Sequence, residues 1–203
     1  MGRTPGVTAI ILAAGRSRRM YPARMKLLMP LGGRPMVEWV IRQVLASQVG
    51  EALLVTGCGH REVAEIGRAN GVFVVHNPDY AKGLSTSVRA GLRAVPPRTS
   101  AAVFVLGDQP FVEAAVLDAL IDEYRSGAGS IIVPSYHGVR GNPVLFDMRW
   151  APELMRLDGD QGGKVLLDKH PEDVVVLETH SAGICVDIDT LEDYRAARAR
   201  WES

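Results

Sequence analysis

The sequence predicts a three-layer α/β/α domain built on a mostly parallel sheet, and three observations carry that prediction. Short apolar runs rich in β-branched residues alternate with amphipathic helical stretches along most of the chain. The runs are apolar throughout rather than alternating with polar residues, as in strands covered on both faces. With 203 residues, 47% of them hydrophobic and 23% charged, the chain can build one substantial core, and no repeat or linker divides it.

Taken in order, strands are expected at Val7–Leu12, Ala52–Thr56, Val72–His76, Ala102–Leu106, Ser130–Pro134, Val174–Leu177 and Ile184–Ile188. Helices are expected at Pro35–Ser47, His60–Ala69, Ser85–Ala94, Glu113–Arg125, Gln161–Lys169 and Leu191–Trp201. The first helix is the clearest, because Met36, Val37, Val40, Ile41, Val44 and Leu45 fall on one face and Pro35 suits a first turn. Pro96-Pro97 and Gly127–Gly129 punctuate loops. A single Rossmann-like domain over residues 1–203 follows. In such sheets ligands bind beyond the carboxyl ends of the strands, so the loops after Val7–Leu12 and Ala102–Leu106 should face one crevice.

Lysine plus arginine and aspartate plus glutamate both total 23, so no global positive field gathers nucleic acid or an anionic membrane. Any anion site must be local. Cys58 and Cys185 form no CxxC pair, which fits packing roles in a reducing compartment and a cytoplasmic enzyme. The apolar stretch Val7 to Ala14 runs straight into Gly15, Arg16, Ser17, Arg18 and Arg19, which reads as a strand and functional loop rather than a signal peptide. His60, His76, His137, His170 and His180 show no zinc spacing, and no serine or cysteine pairs with a histidine as in a hydrolase triad.

Between Arg16 and Lys26 stand five cations and no acid. A solvated basic surface would explain them, but their position at a strand's carboxyl end favours phosphate binding. Ala13, Ala14 and Gly15 let backbone N–H groups approach a ligand, arginine forks match phosphate oxygens, and a lysine adds a mobile charge. Neither G-x-x-x-x-G-K-[ST] nor G-x-G-x-x-G is present, which removes the main support for kinase and dehydrogenase readings. Farther on, Gly107-Asp108-Gln109-Pro110 places a carboxylate where an apolar strand opens into the crevice. Asp108 reads either as a helix cap or as a magnesium ligand; Pro110 and a helix starting near Val112 favour the metal.

Leu12–Met20, then Lys26-Leu27-Leu28 and Pro30-Leu31-Gly32-Gly33-Arg34-Pro35, resembles the opening motif of the molybdenum cofactor cytidylyltransferases and their nucleotidyltransferase relatives. The resemblance implies that Leu12, Ala13, Ala14, Gly15, Arg16, Ser17, Arg19 and Lys26 hold the nucleotide, with Arg19, Lys26 and Asp108 catalytic. Here Tyr21–Met25 lengthens the family's loop, so either Lys26 or Arg24 supplies the cation after it. Gly107 and Asp108 match the family's acid motif, which binds Mg²⁺. Cys185–Asp193 resembles its closing motif, in which a strand-end acid joins the metal. Alternation along a strand would put Asp187 and Asp189 on one face, so both are candidate metal ligands with Asp189 slightly preferred, and capping of the last helix is the competing role of Asp189.

By the same resemblance Gly83, Ser85 and Ser87 hold the base, and Ala14, where guanylyltransferase relatives carry a second glycine, favours CTP over GTP. Asn142, Pro143, Gly159, Asp160 and Gly162 fall in the family's acceptor half, although the family often has histidine at Asn142. The implied reaction moves CMP from CTP to the phosphate of molybdopterin and releases pyrophosphate, with contact to a molybdenum enzyme or its chaperone as the implied partnership. Transfer to a sugar or polyol phosphate and a non-catalytic cofactor carrier are the alternatives.

Overall fold

The computed structural model describes residues 6–15 and 25–202. β1 (Gly6–Ala13) runs through the middle of an eight-stranded sheet, and after it come a short antiparallel pair, β2 (Pro30–Leu31) with β3 (Arg34–Pro35), and helix α1 (Met36–Leu45). The chain continues through β4 (Glu51–Thr56), α2 (His60–Ala69), β5 (Phe73–His76), α3 (Leu84–Ala94), β6 (Thr99–Leu106) and α4 (Ala114–Arg125). Then follow β7 (Ile131–Tyr136), β8 (Val139–Arg140), β9 (Val144–Asp147), α5 (Ala151–Leu154), α6 (Lys164–Lys169), β10 (Val174–Glu178) and α7 (Leu191–Glu202). The strand order is β10-β7-β9-β6-β1-β4-β5, with β8 pairing β7. β1 is parallel to β4 and β6, β4 to β5, and β7 to β10, whereas β9 is antiparallel to both its neighbours.

Alternating side chains of these strands feed two cores, which makes the Rossmann-like three-layer arrangement. On one face Val7, Ala9, Ile11 and Val103 pack with Val37, Val40 and Ile41 of α1 and Leu117, Leu120 and Ile121 of α4. On the other, Ile10, Phe104 and Phe146 pack with Val88 and Leu92 of α3 and Leu166 and Leu167 of α6. Truncating a side chain as fully buried as Phe146 costs about 3–5 kcal/mol. A third cluster joins Met29, Leu31 and Met36 to Ile188, Tyr194 and Ala197. It is reinforced by bonds from Tyr194 Oη to the Pro30 carbonyl and from Trp39 Nε1 to the Leu31 carbonyl. It fixes the turn that carries Lys26 against the helix that follows Asp189. No helix among the described residues is long and apolar enough to cross a membrane.

Two expectations are corrected. Ile184–Ile188 is not a strand: Ala182–Cys185 forms a 3-10 turn, and the residues after it dock on the loop around Asp108 instead of on a sheet edge. Conversely, no strand was expected at β9. It contributes Leu145 to one core and Val144 and Phe146 to the other, wedged between β6 and β7. Smaller shifts affect helix starts. Pro35 is extended, just before α1, and α6 begins at Lys164 because Gly162 and Gly163 pass close to Leu84 and Phe146.

Candidate active site

β1 and β6 end side by side, with Leu12 opposite Leu106 and the Gly107 N–H donating to the Leu12 carbonyl at 3.0 Å. The two loops therefore share one crevice, as expected. A Cβ on Gly107 would lie 3.1 Å from the Leu12 carbonyl oxygen, so glycine permits this close passage before the chain turns out at Asp108. Ala13 and Ala14 are buried, while Gly15 is exposed, and among the described residues nothing lies within 4 Å of where its Cβ would be. Arg16, Ser17 and Arg19, and also Arg24, lie outside the described residues.

Lys26 begins a 3-10 turn, Lys26–Leu28, whose Leu27 is buried in the core and whose Met29 N–H closes on the Lys26 carbonyl. This anchoring keeps Lys26 at the acid site despite the longer preceding loop. The side chain is buried, and its ammonium donates to Asp108 Oδ2 at 2.6 Å and to Asp189 Oδ1 at 2.9 Å. Burial alone would lower its pKa, but the Asp108 charge and hydrogen bond, with those of Asp189, outweigh burial and raise it. Because the folded value is raised, the lysine's contribution is present below the ordinary lysine range and is lost only as pH climbs through the folded value.

Neither carboxylate is spent on a helix end. The α4 N-terminus lies at Ala114, whose N–H donates to Gln43 Oε1. At α7 a reciprocal box forms instead: Asp193 Oδ2 accepts from the Asp189 and Thr190 N–H groups, and Thr190 Oγ1 accepts from the Asp193 N–H. The cap is thus Asp193 with Thr190, and Asp189 turns to the lysine.

Asp187 takes a different direction from Asp189, since the segment is not a strand. Its Oδ1 accepts from Gln109 Nε2 at 2.7 Å. Gln109 is 1% exposed, reaches toward the Ile184 carbonyl as well, and keeps an Oε1 with no hydrogen-bond partner among the described residues. The Ile188 N–H donates to the Asp108 carbonyl, and Gly183 lies against the Phe111 carbonyl, so the closing segment is pinned to the Asp108 loop at three points. Desolvation, then the Asp108 charge, pushes the Asp187 carboxyl above the ordinary range. A raised acid favours the protonated form in the fold, so its contribution to stability declines as pH rises through that interval. Asp187→Asn should therefore melt slightly higher than the native protein at pH 7, the exposure of the side chain keeping the gain small, and the gain should vanish below the ordinary carboxylate range. Scanning calorimetry at both pH values checks this, and an unchanged or lower melting point at pH 7 contradicts it.

The base segment is built more tightly than expected. Ser85 is 0% exposed with its Oγ unpartnered among the described residues, and the buried Ser87 Oγ accepts from Asn77 Nδ2. Thr86 Oγ1 donates to the Gly83 carbonyl. Gly83, at φ 118°, presses on Gly159, and the Ser85 N–H donates to the Gly159 carbonyl at 3.1 Å. Neither serine hydroxyl therefore opens onto the crevice in this conformation, and the segment lines the neighbouring cleft through Leu84 and Val88.

Beside the acid site lies a cleft of about 720 Å³, with Leu12, Phe104, Val144 and Phe146 among its apolar walls. Asn142, Asp160 and Gly162 line it, together with Arg140, Lys164 and Asp168. Pro143 follows Asn142 at the start of the buried β9, and Gly159 sits behind the wall on the Gly83 turn. Asp160 does not cap α6, which has no side-chain cap. Gln109, Arg140 and Lys164 stand in segments matched to the family motifs but were not singled out as site residues, although Gln109 follows Asp108 directly. Its burial signal was absent because glutamine is ordinarily a surface residue. His170, Glu172 and Asp173 bring ligating atoms within 4.8 Å of one another, but at the amino end of β10, away from this site.

The sequence profile of the MobA-like NTP transferase domain matches residues 9–174. The chain is 28% identical to the molybdenum cofactor cytidylyltransferase of Escherichia coli K12, over 96% of this chain and 97% of that one. It is 30% identical to the purine catabolism protein PucB of Bacillus subtilis 168, over 97% and 98%. Among solved structures, a Mycobacterium tuberculosis H37Rv protein in complex with manganese is similar with a TM-score of 0.79 and 28% identity, covering 96% of this chain and 98% of that one.

Proposed function

This chain belongs to the MobA-like NTP transferase family, and we propose that it transfers CMP from CTP to the phosphate of molybdopterin, with Mg²⁺, releasing pyrophosphate. The observation that supports this best is the convergence of Asp108 and Asp189 on a single ammonium at the strand ends, beside an apolar cleft.

Two carboxylate oxygens that meet at one cation-sized point, open on one side, are a donor set that suits Mg²⁺ completed by phosphate oxygens. The relative in complex with manganese supports a divalent ion in the same role. When bound, the ion supplies charge neutralisation to the triphosphate and to the departing pyrophosphate. Asp108 and Asp189 would hold it, and Lys26 and Arg19 would offset phosphate charge. Exposed Gly15 offers backbone N–H approach, and Leu12, Ala13, Ala14, Arg16, Ser17, Gly83 and Gly107 frame the nucleotide. An acceptor phosphate oxygen bonds to the α-phosphorus as the bond to the bridging oxygen of pyrophosphate breaks. No protein nucleophile is needed.

Asn142, Asp160 and Gly162, with Arg140 and Lys164 on the same wall, suit an acceptor with a flat ring body and polar edges. A sugar or polyol phosphate would set hydroxyls against Phe104 and Val144 without partners, which disfavours that alternative. A pure carrier has no use for the lysine-bridged acid pair.

Pyrophosphate release from each nucleoside triphosphate, with Mg²⁺ and with or without molybdopterin, tests the reading. The expected result is release that requires CTP, acceptor and metal together. Release with GTP alone would overturn the base assignment, and release with sugar phosphates but not molybdopterin would overturn the acceptor.

A further inference from the structure

Lys26 occupies the one point on which Asp108 and Asp189 both converge. Its ammonium is 2.6 Å from Asp108 Oδ2 and 2.9 Å from Asp189 Oδ1, and its side chain is only 9% exposed. A divalent ion bound by the same two oxygens would lie where the ammonium now lies, and two cations cannot share that point. We infer that Lys26 is a resident counter-cation that trades places with the metal: the nucleotide-bound ion displaces the ammonium from the acids, and the displaced ammonium moves onto the incoming phosphates.

This inference rests on the metal reading of Asp108 and Asp189 and adds a property that reading does not contain. The acids are already partly neutralised by an internal charge, so bare metal must compete with Lys26 and binds poorly. Metal arriving with a triphosphate brings the ammonium a new anionic partner, so the exchange becomes favourable only for the complex. Selectivity for metal–nucleotide over free metal is thereby built into one side chain. The turn carrying Lys26 is fixed by Leu27 and by the Met29 N–H, so the move falls to the flexible methylene stem rather than to the backbone.

Removing the lysine's charge should then tighten the binding of bare metal even as it damages catalysis, the reverse of what an ordinary supporting residue does. Free Mn²⁺ is measured by electron paramagnetic resonance during titration of the nucleotide-free protein. Lys26→Met should bind Mn²⁺ roughly 10-fold more tightly than the native chain, an estimate that discounts the charge for partial exposure of the acids. Lys26→Arg should stay near native. With CTP present the order reverses, and Lys26→Met binds Mn²⁺–CTP more weakly than native. Lys26→Gln, which keeps a donor but no charge, serves if the methionine variant does not fold.

Equal or weaker Mn²⁺ binding by folded Lys26→Met or Lys26→Gln, without nucleotide, overturns the exchange. Asp108→Asn separates the two levels: if it leaves Mn²⁺ binding unchanged in the native and Lys26→Met backgrounds, the metal reading itself is wrong.

Discussion

Asp108→Asn is expected to lower the proposed CTP-dependent pyrophosphate release by about 1,000-fold while leaving the protein folded. The substitution keeps the shape of the side chain and an oxygen that accepts from Lys26 Nζ, now 2.6 Å from the carboxylate. It removes one of the two charges on which the proposed metal–triphosphate site depends. Lys26 keeps Asp189 as its partner, and the Asp108 main chain keeps its bond from the Ile188 N–H, so the docking of the closing segment persists. Initial rates at saturating CTP, read beside a far-ultraviolet circular dichroism melt, check both halves. Native-like turnover in the folded variant contradicts the assignment of Asp108.

Gly183→Ala is expected to lower the same activity by about 100-fold, although the residue touches no proposed ligand. An added Cβ would lie 2.0 Å from the Phe111 carbonyl oxygen and 2.6 Å from its carbon, so the segment or the loop must shift on the order of 1 Å. That segment carries Asp187 to Gln109 and Asp189 to Lys26, while the loop carries Asp108. The two acids therefore lose register with each other. A matching loss of Mn²⁺–CTP affinity, measured on the same sample, identifies displacement of the site as the cause. A variant with native rates and native affinity contradicts rigid docking of the segment.

The fold was legible where burial shows in composition. β1, β4 and β6 are apolar on both faces, and α1 and α4 carry one apolar stripe each, so their runs announced them. β9 was not legible, because a four-residue strand after Asn142-Pro143 resembles a loop until its neighbours in the sheet are known. Ile184–Ile188 misled in the opposite sense: Ile184 and Ile188 are buried by docking on the Asp108 loop, and burial without a sheet partner carries the same apolar signature. Within the site, Asp108 could be placed from its strand end, and Lys26 only through the family resemblance, with Arg24 as its rival. The competition between Asp189 and Asp193 for the helix cap could not, since both acids stand near Thr190 and only geometry distributes them. Gln109 was invisible for the reason that makes it informative: a buried amide gains its meaning from Asp187 and the Ile184 carbonyl, distant in sequence.

Crystals grown with CTP and Mn²⁺, with anomalous scattering used to locate the ion, test the central claim most directly. The expected anomalous peak is bonded to Asp108 and Asp189 and to triphosphate oxygens, with Lys26 withdrawn from the acids and lying on a phosphate. A triphosphate bound elsewhere, or a manganese peak away from both acids while Lys26 still bridges them, would contradict it.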